Sequence, residues 1–242
     1  MSSSPIHGAR YVLTGLRWLP KRGLRSFVVI PLLINILLFG IGIWWSAGQL
    51  DRLDQTVVSW LPSWLVWLHW LLWPLFILTV LVVVFYTFSV VANVIAAPFN
   101  GLLAEQVERM ANPAGVPPFR ARVSWKELAL SPLAELNKLL YFIGWAIPLL
   151  VLSFIPVINV AAPVLWVLFG AWMLALEYSD YPLGNRGLSF RDQRRLLRKR
   201  WPLTLSFGGM TLLLTLIPVL NFLVIPAAVI GATLMWVQEA PE

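Results

Sequence analysis

The sequence predicts an all-α integral membrane protein. It has two long transmembrane helices, two Pro-broken helical hairpins that are re-entrant or short-spanning, and an N-terminal amphipathic helix. Three observations carry that expectation. Of 242 residues, 12% are charged and 59% hydrophobic, and mean hydropathy is +0.78. That leaves too little polar surface to cover a folded chain, so lipid must be its main solvent. Long stretches carry no charge at all. The 14 tryptophans suit the membrane–water boundary, where an apolar ring and a polar N–H are both satisfied.

Residues 6–19 (IHGARYVLTGLRWL) read as a basic amphipathic helix. Tyr11, Leu13, Leu16, Trp18 and Leu19 are expected toward lipid, and Arg10 and Arg17 at headgroups. Pro20 and Gly23 punctuate its end. The region before the first apolar run is too long and too polar for a cleavable signal peptide. Residues 26–50 carry no formal charge and exceed the ~20 needed to cross a bilayer, which makes them the first spanning helix. Pro31 falls in its early turns, Trp44 and Trp45 anchor the far interface, and Asp51, Arg52 and Asp54 mark water beyond it. The Trp-rich run Ser59–Trp70 reads as a helix lying at that interface, with His69 as an interfacial anchor or a proton-handling group. The second spanning helix covers 72–97 and ends at Pro98 and Gly101, with helix resuming over 102–110. A polar, Pro-rich connector follows over 111–131.

The second half repeats itself. Residues 139–176 and 201–238 carry no charge, and each run is broken near its middle by the same motif, Ile155-Pro156-Val157-Ile158-Asn159 and Ile217-Pro218-Val219-Leu220-Asn221. Each arm of about 16–17 residues makes ~25 Å of helix, against a hydrocarbon core of ~30 Å. The lengths fit short spanning helices or hairpins that turn back within the membrane. The latter reading is favoured, provided protein or water satisfies the turn. With the N-terminus in the cytoplasm, 17 of the 18 Lys and Arg residues lie inside, as the positive-inside rule requires.

Composition also excludes. There is no cysteine, which removes disulfides, thiol catalysis and Cys-bound metal. His7 and His69 stand far apart without a carboxylate cluster, so neither a metal nor a cofactor is expected. The net charge of +7 sits beside apolar runs, so the basic residues are expected to meet a membrane face and not nucleic acid. No Ser–His, paired-carboxylate or metal arrangement supports an enzyme, and no GxxxxGK[ST] loop supports ATP hydrolysis.

Three features can carry chemistry. Arg22-Gly23-Leu24-Arg25-Ser26 opens the first spanning helix. There free N–H groups, a glycine that admits close approach and a forked guanidinium suit a tetrahedral anion, or else the arginines anchor the helix at headgroups. In the APFNGLLAEQVER run (97–109), Glu105 and Arg109 share a helix face and can pair, lining or gating an ion path beside Asn100, or forming an ordinary solvated face. Asn35, Asn93, Asn159 and Asn221 interrupt apolar runs and must face another helix or a wet pathway.

The runs GLRSFVVIPLLIN (23–35), APFNGLLAEQVE (97–108), APVLWVLFGAWMLALEYSDYP (162–182) and IPAAVIGATLMW (225–236) resemble the CysZ family across nearly the whole chain. The resemblance implies sulfate uptake through the bacterial inner membrane for cysteine synthesis. It also implies a homo-oligomer of subunits with two spanning helices and two partly penetrating hairpins. The family's Gly-Leu-Arg sulfate contact falls on Gly23, Leu24 and Arg25. A second basic residue often follows it in relatives, whereas Ser26 follows here, leaving its hydroxyl and Arg22 to complete the contacts. The other reading is a membrane scaffold that recruits partners through the basic run Arg191–Arg200.

Overall fold

The computed structural model describes residues 7–60, 69–113 and 125–239, and all regular structure among them is helical. In chain order the helices are α1 (His7–Trp18), α2 (Arg25–Trp60), α3 (His69–Ala111), α4 (Trp125–Phe154), α5 (Ala162–Asn185), α6 (Phe190–Lys199), α7 (Trp201–Thr215) and α8 (Pro218–Glu239). The chain divides into two compact units, Val29–Phe99, and Met1–Val28 with Asn100–Glu242. The middle of the Trp-rich 59–70 run lies outside the described residues, as do the side chains of His69 and Asn93.

The first unit holds most of α2 and α3. The Arg25–Trp45 stretch of α2 is long and apolar enough to cross a membrane, with 11% of its most apolar stretch buried. Ile36, Leu37, Trp44 and Trp45, like Leu75, Leu81 and Tyr86 of α3, are exposed, as lipid-facing side chains must be. Helix α3 corrects one expectation: it does not stop at Pro98 and Gly101 but runs unbroken from His69 through Pro74 and Pro98 to Ala111. Proline removes one ladder hydrogen bond and bends the axis, and membrane helices accommodate that loss where neighbouring groups satisfy the freed carbonyl.

The second unit is built around α8. Every residue from Val224 to Trp236 except Ile225 is buried, against α1, α5 and α7. Helices α5 and α7 pack on each other, and α4 attaches at the edge through α5 and α6. The apolar stretch of α4, Leu136–Phe154, has none of its length buried.

Glycine sets the closest helix approaches. A Cβ on Gly15 would stand 2.0 Å from the Ala227 carbonyl oxygen of α8, and one on Gly208 would stand 1.8 Å from that of Ala171 in α5. This corrects the reading of α1. Its inward stripe is Gly8, Val12 and Gly15, all buried, and not a lipid-facing row of large residues. Tyr11 is half-buried, with its hydroxyl donating to Gln238 Oε1 (3.0 Å) or Glu239 Oε1 (3.3 Å). Leu13, Arg10 and Arg17 remain exposed.

The repeated motif makes the same backbone contact twice: the Asn159 amide donates to the Ile155 carbonyl, and the Asn221 amide to that of Ile217, both at 2.9 Å. The turns then differ. In the first, Val157 has φ +73° and a 3-10 turn spans Ile158–Val160 before α5; in the second, α8 begins at Pro218. Both asparagines are exposed. The first pair of arms also exceeds its uncharged run. Leu136–Phe154 (19 residues) and Ala162–Asn185 (24) are long enough to span, whereas α7 has 15 residues. Polar residues continue the first pair of helices past the apolar boundary.

Gly208→Ala is expected to lower the melting temperature of the detergent-solubilised protein, at a cost of about 1–3 kcal/mol for overpacking. Gly209→Ala, with open space around its Cβ, is expected to be neutral or stabilising by up to about 1 kcal/mol. Burial, then the charge of Glu239, raises the Tyr11 pKa from 10.0 to about 12. The neutral phenol is therefore the form the fold prefers. Its contribution is complete below pH 10 and is lost as pH rises toward 12. An alkaline melting series should show that loss, and Tyr11→Phe should flatten it.

Candidate functional site: an anion-facing turn at the foot of the first spanning helix

Pro20 follows α1, and the Lys21 amide donates to the Trp18 carbonyl at 3.0 Å, closing the last turn. Gly23 then takes φ +93°, a backbone conformation open to glycine and strained for most other residues. The chain turns on the Lys21 carbonyl, which accepts from the Leu24 amide at 3.1 Å and the Arg25 amide at 3.4 Å. Leu24 is fully buried, in the cluster that also holds Leu103 and Val107 of α3. That anchor leaves its polar neighbours outward: Arg22, Gly23, Arg25 and Ser26 are all exposed.

The amides of Arg22, Gly23 and Ser26 make no hydrogen bond to a described residue. Arg22 and Arg25 have no ion-pair partner among those residues either. Lys21 stacks over the Trp18 ring, 3.1 Å from its centroid. A helix start with open amides and two free guanidinium groups is a site of positive potential.

The structure brings this turn to the helix that follows Pro98. A Cβ on Gly23 would meet Gln106 Nε2 at 3.7 Å, so a side chain that the sequence reading passed over borders the turn. The expected Glu105–Arg109 pair forms, with Glu105 buried. Asn100 is buried and its Nδ2 donates to the Tyr181 hydroxyl at 3.3 Å. Asn35, in the first unit, carries a buried amide oxygen without a hydrogen-bond partner among the described residues.

Two straps fix this end of α3, and neither is visible in local sequence. Arg186 donates from Nε to Glu108 Oε1 at 2.9 Å and pairs with it through Nη2 at 2.7 Å. Asn185 Nδ2 donates to the Gly101 carbonyl at 2.9 Å. A further network joins Lys138 to Asp180, whose other oxygen accepts from Gln193 Nε2 at 2.7 Å. The signal available beforehand was the rarity of charge: a carboxylate such as Glu108 beside an apolar run needs a cation, but sequence does not say which one. Both α3 carboxylates are thus neutralised by arginines, while Arg22 and Arg25 have no such partner among the described residues.

Glu108 is nearly buried, so Arg186→Ala strands its charge and is expected to cost roughly 3 kcal/mol of stability. Adding Glu108→Gln should recover most of that loss in a thermal melt of the double variant.

A family model described as sulfate transporter CysZ/etoposide-induced protein 2.4 matches residues 11–226. The chain is 48% identical over 245 residues to a protein named sulfate transporter CysZ from Pseudomonas fluorescens (strain Pf0-1), covering 99% of this chain and 96% of the relative. It is 46% identical over 243 residues to the protein of the same name from Pseudomonas paraeruginosa (strain DSM 24068 / PA7), covering 98% and 97%.

Proposed function

The chain belongs to the family of sulfate transporter CysZ and etoposide-induced protein 2.4, and from that membership we propose that it takes up sulfate across the bacterial inner membrane to supply cysteine biosynthesis, without hydrolysing ATP. The observation that carries the site is the turn from Arg22 to Ser26, with three open amides and two unpaired guanidinium groups. In this reading Arg25 holds two sulfate oxygens in its planar fork. The Gly23 amide and the Ser26 hydroxyl donate to the others, Arg22 adds charge, and Leu24 fixes the turn from below.

Glu105, Arg109, Asn35, Asn93 and Asn100 are assigned to the pathway and its gate. A sulfate dianion arriving at α3 competes with Glu105 for Arg109, which gives the ion pair a reason to open. The N-terminus and the basic loops face the cytoplasm, and subunits assemble as a homo-oligomer in which apolar surface such as the outer face of α4 meets lipid or a neighbour. Each charge moved inward against a negative-inside potential costs about 2.3 kcal/mol per 100 mV. Entry of the dianion therefore runs on proton coupling or on rapid consumption of sulfate inside the cell.

The test is radiolabelled sulfate uptake into liposomes holding the purified chain. Wild-type vesicles are expected to fill, Arg25→Ala to reduce uptake at least tenfold with unchanged melting, and Arg25→Lys to retain part of it. Wild-type vesicles as tight to sulfate as empty ones would remove this reading.

A further inference from the structure

A cleft of about 340 Å³ opens among α4, α5, α6 and α7, all within the second unit and away from the Arg22–Ser26 turn in sequence. Its walls are apolar and aromatic, including Trp145, Leu149, Leu168, Phe169 and Trp172, and Arg198 of α6 also lines it. Tyr141 belongs both to the cleft wall and to the stacking platform of Arg194, whose guanidinium lies 4.6 Å from the Tyr141 ring centroid and 4.9 Å from that of Phe190. Arg194 and Arg198 are four apart on one helix, so they share a face.

Both arginines lack an anion. Arg198 has no ion pair or hydrogen bond with a described residue, and the Nε of Arg194 is buried without an acceptor. Of the other cations nearby, Arg195 pairs with Asp192 and Arg200 beyond the helix with Glu239, while Arg191 and Lys199 are exposed and line no part of the cleft. A buried guanidinium N–H without a partner is costly, so the site calls for an acceptor beyond the described side chains. The described side chains of a second copy are poorly placed to bring one. Every carboxylate whose side chain is described, namely Glu105, Glu108, Glu177, Asp180, Asp192 and Glu239, already has a partner.

We propose that this cleft binds one acidic phospholipid, with an acyl chain along the Trp145–Phe169–Trp172 wall and the headgroup phosphate on Arg198 and Arg194. Both halves of the site are needed. The aromatic wall alone takes any lipid, and the arginines alone take any anion; together they select a lipid by charge. A headgroup on α6 ties that helix to the α4–α5 hairpin through Tyr141 and leaves the sulfate turn untouched.

The chain has no cysteine, so Leu168→Cys gives one clean labelling position in the cleft. The labelled full chain is reconstituted in zwitterionic phosphatidylcholine vesicles doped with brominated phosphatidylglycerol or brominated phosphatidylcholine, and quenching of a bimane at the cysteine is read. The brominated acidic lipid should quench at several-fold lower mole fraction, since each arginine near the surface is worth roughly fivefold in affinity. Arg198→Ala should cut that preference about fivefold, and Arg198→Lys should keep most of it. Equal quenching by both lipids, preference that survives Arg198→Ala combined with Arg194→Gln, or a cleft that neither lipid reaches would each overturn the proposal. Sulfate flux is not read, so the outcome is independent of the transport assignment.

Discussion

Close approach of helix backbones, α1 on α8 and α7 on α5, is the constraint on which the second unit depends. Inside a bilayer, moving an apolar side chain from lipid to protein gains little, because lipid tails are as apolar as leucine. Helices then associate through van der Waals contact, which rises steeply as backbones near one another. Gly15 against Ala227 and Gly208 against Ala171 supply that proximity. Trp236 adds the polar complement, with its buried indole N–H donating to Ser179 Oγ at 2.9 Å. Such bonds in membranes are worth on the order of 1 kcal/mol, so packing holds the bundle and the hydrogen bond fixes its register.

From that packing follows the placement of the Arg22–Ser26 turn. Helix α1 is held on α7 and α8 by its glycine stripe, and Tyr11 ties it to the end of α8. Pro20 and Gly23 then redirect the chain at a fixed place, with Leu24 driven into the core beside Leu103 and Val107. The same part of α3 carries Gln106 to Gly23 and is strapped by Glu108–Arg186. A turn held on two sides can leave its amides open without collapsing onto them, and that is the preorganisation an anion site needs.

Charge is distributed with similar economy. Acidic residues with described side chains are each partnered, several of them by arginine, whereas Arg22, Arg25 and Arg198 are not. In a chain with net charge +7 some excess cation is inevitable, but its location is informative. Arg10, Arg17, Arg191 and Lys199 are unpaired among the described residues too and lie exposed on the surface, whereas Arg22 and Arg25 stand at the start of a helix and Arg198 beside an aromatic cleft.

The sequence by itself determined the all-α membrane class, a first apolar helix long enough to span, the Glu105–Arg109 pair and the family, because hydropathy, charge and short helical spacing are local properties. It also marked the break between α1 and α2 at Pro20 and Gly23, since proline and glycine punctuation is local too. It misread what depends on partners. Pro98 looked like a stop, but α3 continues through it. The glycines of α1 carry no hydropathy signal, so the face that binds α8 was invisible and Tyr11 was assigned to lipid. Gln106, Arg186 and the cleft beneath Arg198 lie far from their neighbours along the chain. Only the tertiary structure decided them, because which cation meets which carboxylate and which groups remain free are set by helix packing across tens of residues.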